Sequence, residues 1–154
     1  MGLALGKREE VRMSEYNLKR FFPSHTDAYP QALSEIRAGE KKSHWIWYIF
    51  PQLKGLGTST NSETFGIEDA DEAREYLAHP ELGHDLREIT SALLDLKEND
   101  PVKVMGWKID ALKLKSCMTL FAYISEEGSI FHRVLDKFFG GERDGRTLRM
   151  LKKK

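Results

Sequence analysis

The feature that most narrows the fold is an apolar stripe, Leu82, Leu86, Ile89, Leu93 and Leu96. Steps of four, three, four and three residues keep these side chains on one face of an α-helix. A strand would divide them between its two faces. A helix with one apolar face must bury it against other elements.

Other segments read as helices that can pack on it. Asp27–Arg37 carries Pro30 in its first turn and Gly39 just past its end. Ser43 caps a short helix over His44–Phe50, which Pro51 stops. Asp69 begins DADEAREYLAH, where Ala73, Tyr76 and Leu77 share a face, and Pro80 opens the striped helix. Asn99-Asp100-Pro101 starts a short helix over Val102–Met105, ended by Gly106. Lys108–Ile124 is a long helix, Ser129 caps Ile130–Phe139 before Gly140-Gly141, and Asp144–Leu151 ends the chain. The small polar residues from Gly55 to Ser62 read as a loop. Strand signal is thin, since Trp45–Phe50 alternates poorly and Thr64–Ile67 is the only other candidate. The expectation is a compact all-α domain over residues 14–154, with about seven helices of uneven length and non-bundle packing. Residues 1–13 read as a disordered leader or added sequence.

Composition limits the function classes. The 154 residues suit one domain, and the 24 basic residues balance the 24 acidic ones. A nucleic-acid binder usually shows a basic excess, so that class is disfavoured. No apolar run approaches the ~18 residues of a membrane span. Gly2 invites myristoylation, but Gly6 stands where serine or threonine is required. The single cysteine, Cys117, forms no internal disulfide, which fits a reducing cytoplasm.

Several clusters carry chemical interest. KSHWIWYIFPQLKGLGTST places Trp45, Trp47, Tyr48 and Phe50 within six residues. Such a segment is either a core helix or one wall of a pocket that stacks a planar ligand, because buried indole N–H groups demand acceptors. His44 at the helix start offers a neutral base or donor. Trp45, next to it, is the indole expected at the pocket. Gln52 follows, and Gly55, Gly57 and Ser59 form a small-residue loop with donors for an anion. Asp110, Lys113 and Cys117 are spaced by three and four, so Lys113 can hold a phosphate or carboxylate. Arg143 and Arg146 follow a double glycine and can reach a phosphate, while Asp144 caps the last helix. The five histidines are scattered and form no metal motif, so no metal or cofactor is expected.

The stretches HWIWYIFPQLKGLGTST, AREYLAHPELG, DALKLKSCMTLF and FFGGERDGRTLRML resemble the successive signature blocks of one family. It is domain-of-unknown-function family 1810, of bacteria and some fungi, and the resemblance spans Tyr16 to Leu151. It implies a compact all-helical fold and no particular activity. Cys117 stands where that family's pattern has serine.

The functional expectation is a cytoplasmic domain that binds or hydrolyses a small anionic or nucleotide-like ligand in an aromatic-lined pocket. Its site would gather His44, Trp45, Trp47, Gln52, Gly55, Gly57, Ser59, Asp110 and Lys113. An ADP-ribose derivative is the narrower version, resting on likeness to other all-helical families that process ADP-ribose. The alternative is a non-catalytic protein-interaction module that uses the aromatics and the glycine loop as a surface patch.

Overall fold

The computed structural model describes residues 16–153. The leader expected over residues 1–13 lies outside them. The described residues form a 3-10 turn (Leu18–Phe21) and nine α-helices. These are α1 (Ser24–Arg37), α2 (Ile46–Ile49), α3 (Thr60–Phe65), α4 (Ala70–Ala78) and α5 (Leu82–Asp95), then α6 (Pro101–Met105), α7 (Lys108–Tyr123), α8 (Ile130–Phe139) and α9 (Gly145–Lys153). The all-α class holds, and the count is corrected from about seven to nine.

The differences have local causes. α3 lies where a polar loop was expected. Ser59 accepts a hydrogen bond from Ser62 N–H and caps it, but six residues are too few to show periodicity. α1 begins at Ser24 rather than Asp27, so Pro30 falls inside the helix, on its exposed side. α2 has only four residues and is not capped by Ser43. Ser43 donates to Glu35 instead, from both its N–H and its hydroxyl.

α7 is the central element and packs against α4, α6, α8 and α9. Its Leu114, Cys117, Met118, Leu120 and Phe121 are wholly buried. The expected stripe on α5 buries Leu82, Leu86, Ile89 and Leu93, and α5 packs on α1, α4 and α8. Gly83 permits the tight turn from α4, since a Cβ there would lie 1.9 Å from the Leu77 carbonyl oxygen.

Cys117 faces this core, and burial pushes its thiol well above the ordinary range. It is a packing residue. In Cys117→Ser the hydroxyl can donate to the carbonyl four residues back, as Ser116 and Thr119 do. The variant should fold with a loss of about 1–2 kcal/mol. Iodoacetamide should modify native protein at neutral pH only as fast as it unfolds; rapid selective alkylation would contradict the assignment.

Candidate functional site

The Trp-rich segment leads into a closed lobe. Ile67 N–H donates to the Gln52 carbonyl at 2.8 Å, and Lys54 N–H to the Ile67 carbonyl at 2.7 Å. This isolated parallel bridge between Leu53 and Ile67 clips both ends of the lobe together. It uses part of the stretch that had a strand signal, but one bridge makes no sheet. Inside the lobe, Gly57 approaches α3 so closely that a Cβ would meet Ser62 Oγ at 2.6 Å. Arg146, at the start of α9, ties the lobe down by donating to the Leu56 and Gly55 carbonyls at 3.1 and 3.3 Å.

A cleft of about 320 Å³ opens between this lobe, α3, the first half of α7 and the start of α9. Trp47 forms one wall, with Gln52, Leu53, Leu56 and Gly57 continuing it. Ile109, Leu112, Lys113 and Ser116 face it from α7, at spacings that put them on one helix face. Asp144 and Arg146 close the end. Lys113 Nζ sits 4.8 Å from the Trp47 ring centroid, in cation–π range, and 3.9 Å from Asp110 Oδ1. The Trp47 indole N–H is buried and has no acceptor among the described residues.

Four of the nine expected site residues, Trp47, Gln52, Gly57 and Lys113, line this cleft. The expectation that Trp45 faces the pocket is corrected: Trp45 is 2 % exposed and Trp47 takes the cleft. Trp45 turns inward because its Nε1 donates to Glu35 at 2.9 Å. His44 is exposed and stacks on Trp107 at 5.0 Å. Asp110 is buried against Lys41, its carboxylate 2.7 Å from Lys41 Nζ. Gly55 and Ser59 hold the lobe in shape, through the Arg146 bond and the α3 cap. Ile109 and Leu112 join the lining without having been expected, and Asn61 and Ser62 of the small-residue stretch join it too. For Ile109 and Leu112 the signal was present but misleading, since α7 is apolar around most of its circumference.

Glu35 is the hub of the turn that leads into α2. Its carboxylate also accepts from Lys42 N–H and Gln31. Burial pushes the Glu35 carboxyl up, but hydrogen bonds from Ser43, Lys42 N–H, Gln31 and Trp45 outweigh it and hold it at about 2. Lys41 is wholly buried between two indoles, 4.8 Å from the Trp45 ring and 4.7 Å from the Trp107 ring. Its place is set by α6, whose Val104 carbonyl accepts from Lys41 N–H at 2.7 Å. Away from the cleft, His25 and His84 flank Asp85 in a cluster with the donor set of a metal centre.

No helix among the described residues is long and apolar enough to cross a membrane. No curated protein matches the chain. A crystal structure of the conserved hypothetical protein Rv1873 from Mycobacterium tuberculosis is similar, with 38% sequence identity and a TM-score of 0.86. The match covers 90% of this chain and 99% of that one. The family model described as "Protein of unknown function (DUF1810)" matches residues 15–151. That match spans nearly the whole chain, so the protein belongs to the DUF1810 family.

Proposed function

We propose that the Trp47 cleft binds a small anionic, nucleotide-like molecule, with an ADP-ribose derivative as the narrower candidate. The observation that carries the reading is the pairing of an aromatic wall with a cation: Lys113 lies over Trp47 at the cleft surface. An aromatic face stacks a planar base, and an ammonium group takes a phosphate or carboxylate. Arg146 adds a second positive charge at the other end. Asn61, Ser62 and Ser116 add polar groups suited to ribose hydroxyls. The volume of about 320 Å³ is at the small end of ligand sites, which suits a mononucleotide or part of a larger nucleotide. Asp144 is the carboxylate in the cleft able to stabilise positive charge on a reacting sugar. Its Oδ2 is already occupied by Thr147, so it supports binding more directly than hydrolysis.

The alternative, a protein-interaction module, is favoured by one observation. Ile109 and Leu112 on the cleft rim are 62% and 52% exposed, an apolar lip that a protein partner would cover.

Titration with AMP, ADP-ribose and ribose 5-phosphate separates the readings. Binding should raise the melting temperature and change tryptophan fluorescence. Lys113→Ala should weaken it at least about tenfold, the scale of one charge-assisted contact. Trp47→Phe should remove most of the fluorescence response. If none of the three probes shifts melting or fluorescence at millimolar concentration, the small-molecule reading fails and the apolar rim becomes the better guide.

A further inference from the structure

We propose that His25, Glu81 and Asp85 form a binding site for one divalent transition-metal ion of the zinc class, bridging α1 and α5. These three residues lie outside the Trp47 cleft. His25 lies in the first turn of α1 and is 1% exposed. Its Nδ1 is 2.8 Å from the Tyr48 carbonyl oxygen, and its Nε2 is 2.9 Å from Asp85 Oδ2. Both partners only accept hydrogen bonds. A hydrogen on Nδ1 serves the carbonyl, which is the usual way a metal-binding histidine is oriented. Nε2 then turns a lone pair toward a carboxylate. That approach is repulsive unless a cation lies between them, either a proton or a metal ion.

Three further features favour a metal ion. Glu81 adds a second carboxylate, and one ligand atom from each of His25, Glu81 and Asp85 lies within 4.8 Å of the other two. In a tetrahedral zinc shell with bonds of about 2.1 Å, ligand atoms stand about 3.4 Å apart. The 2.9 Å contact is within about half an ångström of that edge, and Glu81 is the exposed member of the trio. The Glu81 carboxylate is also oriented from outside, by Thr26, which donates to it at 2.8 Å, and Tyr29 ties α1 to α5 by donating to the Asp85 backbone carbonyl at 3.1 Å. Finally, the other oxygen of Asp85 is 3.0 Å from His84 Nδ1, and His84, Asp85 and Glu88 form a second close trio. Within the proposed site, the His25 nitrogen beside the Glu81 and Asp85 carboxylates gives the mixed nitrogen and oxygen set that suits zinc better than calcium or magnesium. The ion would fix the first turn of α1 to α5 and, through His25, to the Tyr48 carbonyl beside the Trp-rich segment.

The test uses the full chain, stripped with EDTA and dialysed. Zinc chloride titrated calorimetrically at pH 7.5 should bind at one equivalent. A saturating excess should raise the melting temperature by about 5 °C or more. Cobalt chloride should give a visible absorption band that zinc displaces. Because His25→Ala can fail to fold, the decisive variants are Glu81→Gln and Asp85→Asn, checked by circular dichroism. Each should weaken zinc at least about tenfold. His79→Ala and His132→Ala should leave binding unchanged. Absence of heat and of any melting shift at millimolar zinc overturns the proposal, as does binding that survives both carboxylate changes.

Discussion

Trp45→Ala should cost about 3–5 kcal/mol, a large part of the stability of a domain this size. Trp47→Ala should cost far less. Trp45 is 2 % exposed, lies 6.1 Å from the Phe50 ring and 4.8 Å from Lys41 Nζ, and its indole N–H is held by Glu35. Removing it opens a cavity, strips a hydrogen bond from a buried carboxylate and uncovers a buried ammonium. Trp47 is only partly buried and has no hydrogen bond to lose. Glu35 makes the same prediction from the other side of the contact. Its carboxyl sits at about 2 against an ordinary 4.5, so its folded pKa is depressed. The matching stabilisation, about 3 kcal/mol, is present above pH 4.5 and is lost as pH falls from there toward 2. Glu35→Gln should lose a similar amount at pH 7 and flatten the acid limb of stability. Urea unfolding followed by far-ultraviolet circular dichroism at pH 7 and pH 3 measures all three variants. Equal losses for Trp45→Ala and Trp47→Ala would refute the division of roles between the two indoles.

That division was not legible in the sequence, for a specific reason. Helical spacing separates Trp45 from Trp47, but α2 is only Ile46–Ile49, and Trp45 precedes it with φ −129° and ψ 7°. Helical spacing says nothing about a residue outside the helix. What directs Trp45 inward is Glu35, ten positions upstream, and Glu35 reads as an ordinary exposed residue of an amphipathic helix. Some local signals hold and others do not: Ser43 was expected to cap the Trp-rich helix and does not. Asp69, Asp100 and Ser129 cap their helices with side-chain bonds as expected, and the α5 stripe is buried.

The candidate site shows the same contrast. Trp47, Gln52, Gly57 and Lys113 have the chemistry of a binding site and share one cleft. His44 and Asp110 were chosen on equally good chemistry and are engaged elsewhere, by Trp107 and by Lys41. Lys41 had no local signal at all. It stands in the run GEKKSH, where a lysine is normally a solvated surface charge. Only the distant partner Asp110, set in an apolar helix, could have hinted at a buried pair.

Lys41→Met should cost about 3–5 kcal/mol, and Asp110→Ala a comparable amount, because each leaves an uncompensated buried charge. The Lys41 side chain is 0% exposed and that of Asp110 9%, and their 2.7 Å contact is the main polar tie between the turn before the Trp-rich segment and α7. Lys41 Nζ also donates to the Ser43 carbonyl, so its loss frees a second acceptor. Lys41→Arg should be nearly as damaging, since a guanidinium does not fit where a compact ammonium sits between two indoles. The double variant Lys41→Met/Asp110→Leu should recover much of the loss, because an apolar pair removes both desolvation penalties together. A double-mutant cycle of the parent, Lys41→Met, Asp110→Leu and the double variant in urea, read by tryptophan fluorescence, gives the coupling directly. Coupling above about 2 kcal/mol identifies a buried structural pair; a value below about 1 kcal/mol, typical of exposed ion pairs, would contradict it. Asp110→Ala has a further consequence. With Asp110 gone, Lys113 loses the carboxylate 3.9 Å away and keeps only the Trp47 face. Anion affinity at the cleft should then hold or rise while stability falls, opposite in sign to the effect of removing Lys113 itself.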